Sequence, residues 1–164
     1  MGMASTTDSG TSDNAMQQSL CDRIIAETQE AVIYTDRDGV ILLWNSGAER
    51  IFGHTEGEVL GQSLDLIIPE KLRKRHWDGW NRVIETGETK YGSEPLAVPG
   101  TRADGSRVSL EFSITMLRGD AGEIIGIAAL LRDVTQRWEQ DKALRKRLAD
   151  AEARAPRSSE DPAP

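Results

Sequence analysis

AVIYTDRDGVILLWNSGAERIFG (31–53) holds two strand candidates and a short helix in close succession. AVIYTD (31–36) and VILLWN (40–45) are apolar runs rich in β-branched and aromatic residues, which favours strands. Arg37-Asp38-Gly39 separates them. An Asp-Gly pair between two apolar runs is a strong hairpin signal, because tight hairpin turns need positive φ. Asn45 or Ser46 is placed to cap a short helix over 46–53 that ends on Gly53.

Downstream, Glu56 to Leu60 reads as a helical turn closed by Gly61, and the apolar run Leu64–Ile68 stops at Pro69. A longer helix is predicted from Glu70 to Thr86, ended by Gly87. Leu72, His76, Trp80 and Val83 fall on one face of it, and Lys71, Arg73, Lys74 and Arg75 mostly on the others. Three strands follow, over 89–98, 107–117 and 124–133. The middle one alternates, with Val108, Leu110, Phe112 and Ile114 on one side, as expected of a half-buried antiparallel strand. A final helix is predicted over 134–153. The order gives an α+β domain with one antiparallel sheet.

Upstream, Met16, Leu20 and Ile24 recur at helical spacing, so 16–30 reads as an amphipathic helix. Residues 1–15 and 155–164 have little to bury and are expected to be disordered. The folded body then divides into that helix, a domain over 31–137 and a helical segment over 138–154. Leu144, Leu148 and Ala151 in this segment, with Ala155 just past its end, make a short coiled-coil-like seam.

The composition excludes several functions. The 164 residues carry 27 acidic and 20 basic side chains, a formal charge of −7, which argues against general nucleic-acid binding. The basic run Lys142, Arg145, Lys146 and Arg147 reads as a solvated face. Cys21 is the one cysteine, so neither an internal disulfide nor a multi-cysteine zinc site is available. No apolar run approaches the roughly 18 residues of a membrane span, and no signal pattern opens the chain. The expected location is cytoplasmic. No phosphate loop, nucleophile elbow or marked catalytic pair appears, so an independent enzyme is not expected.

Three segments together resemble the PAS (S-box) family: YTDRDGVILLWNSGAERIFGHTEGEVLGQS (34–63), RADGSRVSLEFSI (102–114) and GIAALLRDVTQR (126–137). The resemblance covers about residues 20–137. It implies a five-stranded antiparallel sheet with helices over one face, flanked by N- and C-terminal helices. It also implies a pocket between sheet and helices, and a sensory or dimerisation role. Within the family, IPEKLRKRHWDGWNRV (68–83) resembles the long helix of haem-binding PAS domains in rhizobial oxygen-sensing histidine kinases. That resemblance implies haem b with His76 as axial iron ligand and Arg82 holding a propionate. Leu96 stands where those kinases have a distal Arg, and Lys90 where they have a His. An apolar distal side suits CO or NO at least as well as oxygen.

Trp80, Leu96, Ile114 and Ile127 are the expected pocket neighbours of His76. Trp77 lies beside them as a packing group with an indole donor, and Trp44 is expected in the core. The family's last-strand signature is matched by Asp133-Val134-Thr135. It implies coupling of the sheet to the outgoing helix, with Asp133 accepting hydrogen bonds and Thr135 capping the helix. Cys21 lies before the sheet, away from where flavin-binding light sensors carry a reactive cysteine. Two functions fit. One is a stand-alone haem sensor of a diatomic gas that signals through the C-terminal helix to an unidentified signalling protein. The other is a cofactor-free PAS dimerisation and interaction module. Both use a homodimer formed through the terminal helices, and neither requires nucleic acid or a membrane.

Overall fold

The computed structural model describes residues 9–89 and 96–154. In chain order they form α1 (Ser9–Glu27), β1 (Ala31–Asp36), β2 (Ile41–Trp44), α2 (Ser46–Phe52) and α3 (Glu56–Val59). A 3-10 turn follows (Leu64–Leu66), then α4 (Glu70–Thr86), β3 (Leu96–Thr101), β4 (Arg107–Arg118), β5 (Ile124–Asp133) and α5 (Thr135–Arg154). The five strands form one antiparallel sheet in the order β2-β1-β5-β4-β3. This is the expected α+β architecture.

The hairpin forms for the reason its sequence suggests. Gly39 takes φ of 77°, and the Asp36 carboxylate accepts from the backbone N–H groups of Asp38 and Val40 at 3.0 and 2.9 Å. The pairing shifts between Tyr34 and Thr35, so that Leu43 and Ile41 are the partners and Leu42 is the extra, exposed residue of a bulge. Asn45, not Ser46, caps α2: its Oδ1 accepts from Ala48 N at 2.9 Å. Gly53 closes α2 and Gly87 closes α4, both in the left-handed region that favours glycine.

Several boundaries move. α1 begins at Ser9, so residues 9–15, expected to be disordered, are helical. Extending an existing helix costs far less than nucleating one. β3 is expected over 89–98; residues 90–95 of that span lie outside the described residues, and the strand runs over Leu96–Thr101, three residues past its expected end. It includes Pro99 and Gly100, which its place at the sheet edge tolerates. Residues 1–8, Lys90 and the segment from Ala155 lie outside the described residues.

The inner sheet face packs against α2, α3, the 3-10 turn and α4. Ile33, Ile41, Trp44, Phe52, Val59, Val108 and Leu110 form its buried centre. The Trp44 and Phe52 rings lie 5.4 Å apart, and the Trp44 indole donates to His54 O at 3.1 Å. β4 alternates as expected, with Val108 and Leu110 buried and Phe112 and Ile114 packed against the core. The terminal helices contribute little to this core. Met16, Leu20 and Ile24 on α1 and Leu144 and Leu148 on α5 are exposed, and no residue of α5 is buried. Among the described residues no helix is long and apolar enough to cross a membrane.

Candidate functional site

α4 positions the site. Its period places Trp80 and Val83 against the sheet, buried, with His76 one turn before Trp80. Two anchors fix the helix. The Trp80 indole donates to Arg37 O in the hairpin turn at 2.8 Å, and the Trp77 indole donates to Asp65 Oδ1 at 2.9 Å. Arg73 adds a third tie, donating to Asp65 O at 2.9 Å. Trp77 also lies over Gly39, where an added Cβ would sit 2.2 Å from the indole. Both indoles pack around the His76 ring, Trp77 edge-on at 4.9 Å and Trp80 tilted at 5.8 Å.

Between α4 and the sheet lies a cavity of about 130 Å³. His76, Trp80, Ile114 and Ile127 all line it, so the structure brings together four residues that the sequence singles out. Phe112, Ile33 and Ala129 are further walls. The polar side chains on the lining are few. The Thr35 hydroxyl donates to Ile127 O at 3.4 Å, and the Trp80 indole is already used. His76 Nδ1 is enclosed and has no hydrogen-bond partner. Burial pushes the His76 pKa below the ordinary imidazole value, and the Asp65 carboxylate only partly opposes this. The imidazole is therefore neutral at pH 7, the form in which a ring nitrogen offers a lone pair.

Arg82 does not join this group. It is exposed and absent from the cavity lining, because six residues along a helix is a turn of about 120° away from His76. Leu96 begins β3, paired with Phe112, and its side chain lies outside what is described. His54 is half-buried beyond α2, and Cys21 is exposed on α1.

Asp133 and Thr135 sit at the β5–α5 joint, where Asp133 accepts hydrogen bonds as expected and Thr135 takes a role other than the expected cap. Asp133 provides the cap, its Oδ1 accepting from Thr135 N at 2.9 Å. The Thr135 hydroxyl instead accepts from Ser109 N on β4, also at 2.9 Å. Arg102, in the β3–β4 turn, donates to Asp133 Oδ2 at 2.7 Å and to Ile51 O at the end of α2. Burial raises the Asp133 pKa, but the hydrogen bonds from Thr135 and Arg102 outweigh it and hold the carboxyl below its usual value. Arg102 and Asp65 were not legible as site residues. Arg102 is a turn residue whose partners are 31 and 51 positions away, and Asp65 sits in a short apolar run.

A five-stranded antiparallel sheet whose inner face and covering helices enclose a small pocket defines a ligand-accessible α+β module. A family model described as the PAS fold matches residues 26–139, and the chain belongs to the PAS family. Sensor protein FixL of Bradyrhizobium diazoefficiens is 29% identical over 123 residues, covering 75% of this chain and 24% of that protein. Oxygen sensor protein DosP of Escherichia coli is 26% identical over 116 residues, covering 71% of this chain and 14% of that protein. The match thus spans about a quarter or less of these curated relatives. A PAS domain from Colwellia psychrerythraea has the same fold, with a TM-score of 0.65 and 18% identity over 73% of this chain and 98% of that one. An RNA-binding light-oxygen-voltage receptor superposes with a TM-score of 0.70 and 22% identity, over 91% of this chain and 42% of that one.

Proposed function

We propose that this PAS sensory domain binds haem b with His76 as axial ligand, takes a diatomic gas as its signal, and passes the response through α5. The observation that carries this is His76 itself. A neutral imidazole lines an apolar cavity with one ring nitrogen enclosed and unpartnered. A metal ligand needs that donor chemistry, and buried polar atoms are otherwise nearly always hydrogen-bonded. The similarity to two proteins named as sensors, one of them of oxygen, supports the same reading.

Haem, when bound, supplies reversible affinity for a diatomic gas. The chain's own residues do the rest. Trp77 and Trp80 hold the His76 ring, and Ile114 and Ile127 keep water from the pocket. Arg82, exposed on α4 and off the cavity lining, would have to reach a propionate from outside the pocket. The cavity of about 130 Å³ is below the roughly 300–1,000 Å³ of pockets that enclose drug-sized ligands, so haem would need a wider gap between α4 and the sheet than this structure has. β5 lines the cavity through Leu131 and, two residues on, reaches Asp133 and the foot of α5. That continuity is the output path. The exposed stripes on α1 and α5 support a homodimer through the terminal helices, acting by contact with a signalling protein rather than by catalysis.

The same small volume favours a second reading, a cofactor-free interaction module whose pocket stays closed. Absorption spectra separate the two. One equivalent of haemin should give a sharp Soret band that shifts on reduction and with CO and is lost in His76→Ala. A diffuse haemin spectrum in the wild type, or an unchanged band in His76→Ala, removes the haem assignment.

A further inference from the structure

We propose that the cavity beside His76, at its present width, is a binding site for a neutral monocyclic aromatic molecule carrying one hydroxyl, the phenol class. The proposal rests on the sensory reading of this pocket but is independent of haem. Size gives the first restriction. The cavity measures about 130 Å³. Apolar protein cavities of about 150 Å³ stay dry and take up benzene. One six-membered ring matches that space, and a porphyrin does not.

The walls give the second restriction. Phe112 and Trp80 offer aromatic surface, and Ile33, Ile114 and Ile127 offer aliphatic surface. His76 is the one titratable side chain among the described lining residues, and burial favours its neutral form, so a carboxylate or ammonium entering there meets an apolar wall with no standing counter-charge, which is unfavourable. The ligand is therefore neutral.

The polar atoms give the third. Thr35 and Trp80 already donate to backbone oxygens, which leaves His76 Nδ1 as the buried side-chain nitrogen or oxygen without a partner among the described residues. A neutral imidazole nitrogen donates or accepts according to its tautomer, and a hydroxyl answers either. One hydroxyl on one ring thus completes the site.

The test uses the full chain purified without haem, titrated with phenol, benzene and benzoate by calorimetry and by tryptophan fluorescence. Phenol should bind roughly tenfold more tightly than benzene, the worth of one hydrogen bond, and benzoate should not bind. His76→Leu should keep benzene and lose the preference for phenol, so that benzene binding also reports that the variant is folded. Ala129→Met, which fills the cavity from β5, should lose phenol and benzene alike. Absence of phenol binding in the wild type, an undiminished preference in His76→Leu, or full phenol binding in Ala129→Met each overturns the proposal. If His76→Leu binds neither molecule, Ala129→Met decides. The haem reading is scored separately by its Soret band. Phenol binding without that band removes haem alone, and a His76-dependent band without phenol binding removes the phenol site alone.

Discussion

Asn45 is a buried polar side chain and His76 a half-buried one with its Nδ1 enclosed, and the fold treats them in opposite ways. Asn45 Oδ1 accepts from Val32 N and Ala48 N, each at 2.9 Å, and its Nδ2 donates to Ile25 O at 2.8 Å and Glu30 O at 3.0 Å. One amide thus joins the end of α1, the start of β1 and the first turn of α2. His76 Nδ1 joins nothing. A polar group with every valence satisfied fixes chain segments, whereas one left open beside a cavity is available to a ligand.

The largest effect expected on this contrast is from Asn45→Ala. It strips partners from four backbone groups and should lower stability by about 3 kcal/mol in chemical denaturation. A loss under about 1 kcal/mol would show that the junction is held by other contacts. Gly39→Ala should cost about 2 kcal/mol, because φ of 77° is strained for Ala and the new Cβ meets Trp77. Its tryptophan emission should also change as Trp77 shifts away from His76.

His76→Leu should have the opposite sign to Asn45→Ala. Replacing an unsatisfied buried nitrogen with a hydrocarbon should stabilise the haem-free chain by about 1 kcal/mol. Destabilisation by the same amount would mean that the nitrogen has a partner in solution. The smallest effect is in the pH dependence. The folded His76 pKa lies below the ordinary value of about 6.5, so the unfolded chain takes up the proton first. Stability from this group is complete above that value and falls as pH drops from about 6.5 through the folded pKa. Denaturation midpoints between pH 5 and 8 should show the slope in the wild type and not in His76→Leu. Asp133 acts in a separate, more acidic window. Its lowered pKa gives stability above the ordinary carboxylate value that is lost as pH falls through the folded one.

Most of the architecture was legible because its signals are local. Asp-Gly sets the hairpin, Asn45 and Gly53 bracket α2, and Gly87 ends α4 where the helical pattern does. The C-terminal end of β3 is less legible, since Pro99 and Gly100 are poor strand residues whose tolerance depends on lying at a sheet edge. In the site, His76 and Trp80 follow from helical period, and Ile114 and Ile127 from strand alternation and the family resemblance. Arg82 rests on the family resemblance alone, and its angle around α4 takes it off the cavity. The anchors Asp65 and Arg102 act across long sequence separations, which one sequence does not order.

α5 has a consequence for how the domain ends. Its twenty residues include none that is buried, and its hydrogen bonds and ion pairs to the sheet come from the first turn, at Thr135 and Arg137. Trp138, Glu139 and Lys142 still border a groove with β3 and β4; beyond Lys142 the helix relies on its own propensity, and isolated helices shorter than about 12–15 residues are marginal in water. Its amides from about Leu144 onward should exchange with solvent almost unprotected, while helix and coil interconvert on a scale of about 0.1–1 μs. A second helix laid along Leu144 and Leu148 would slow that exchange by the free energy of the new contact. Amide protection in this segment is therefore a gauge of whether the protein is alone or assembled.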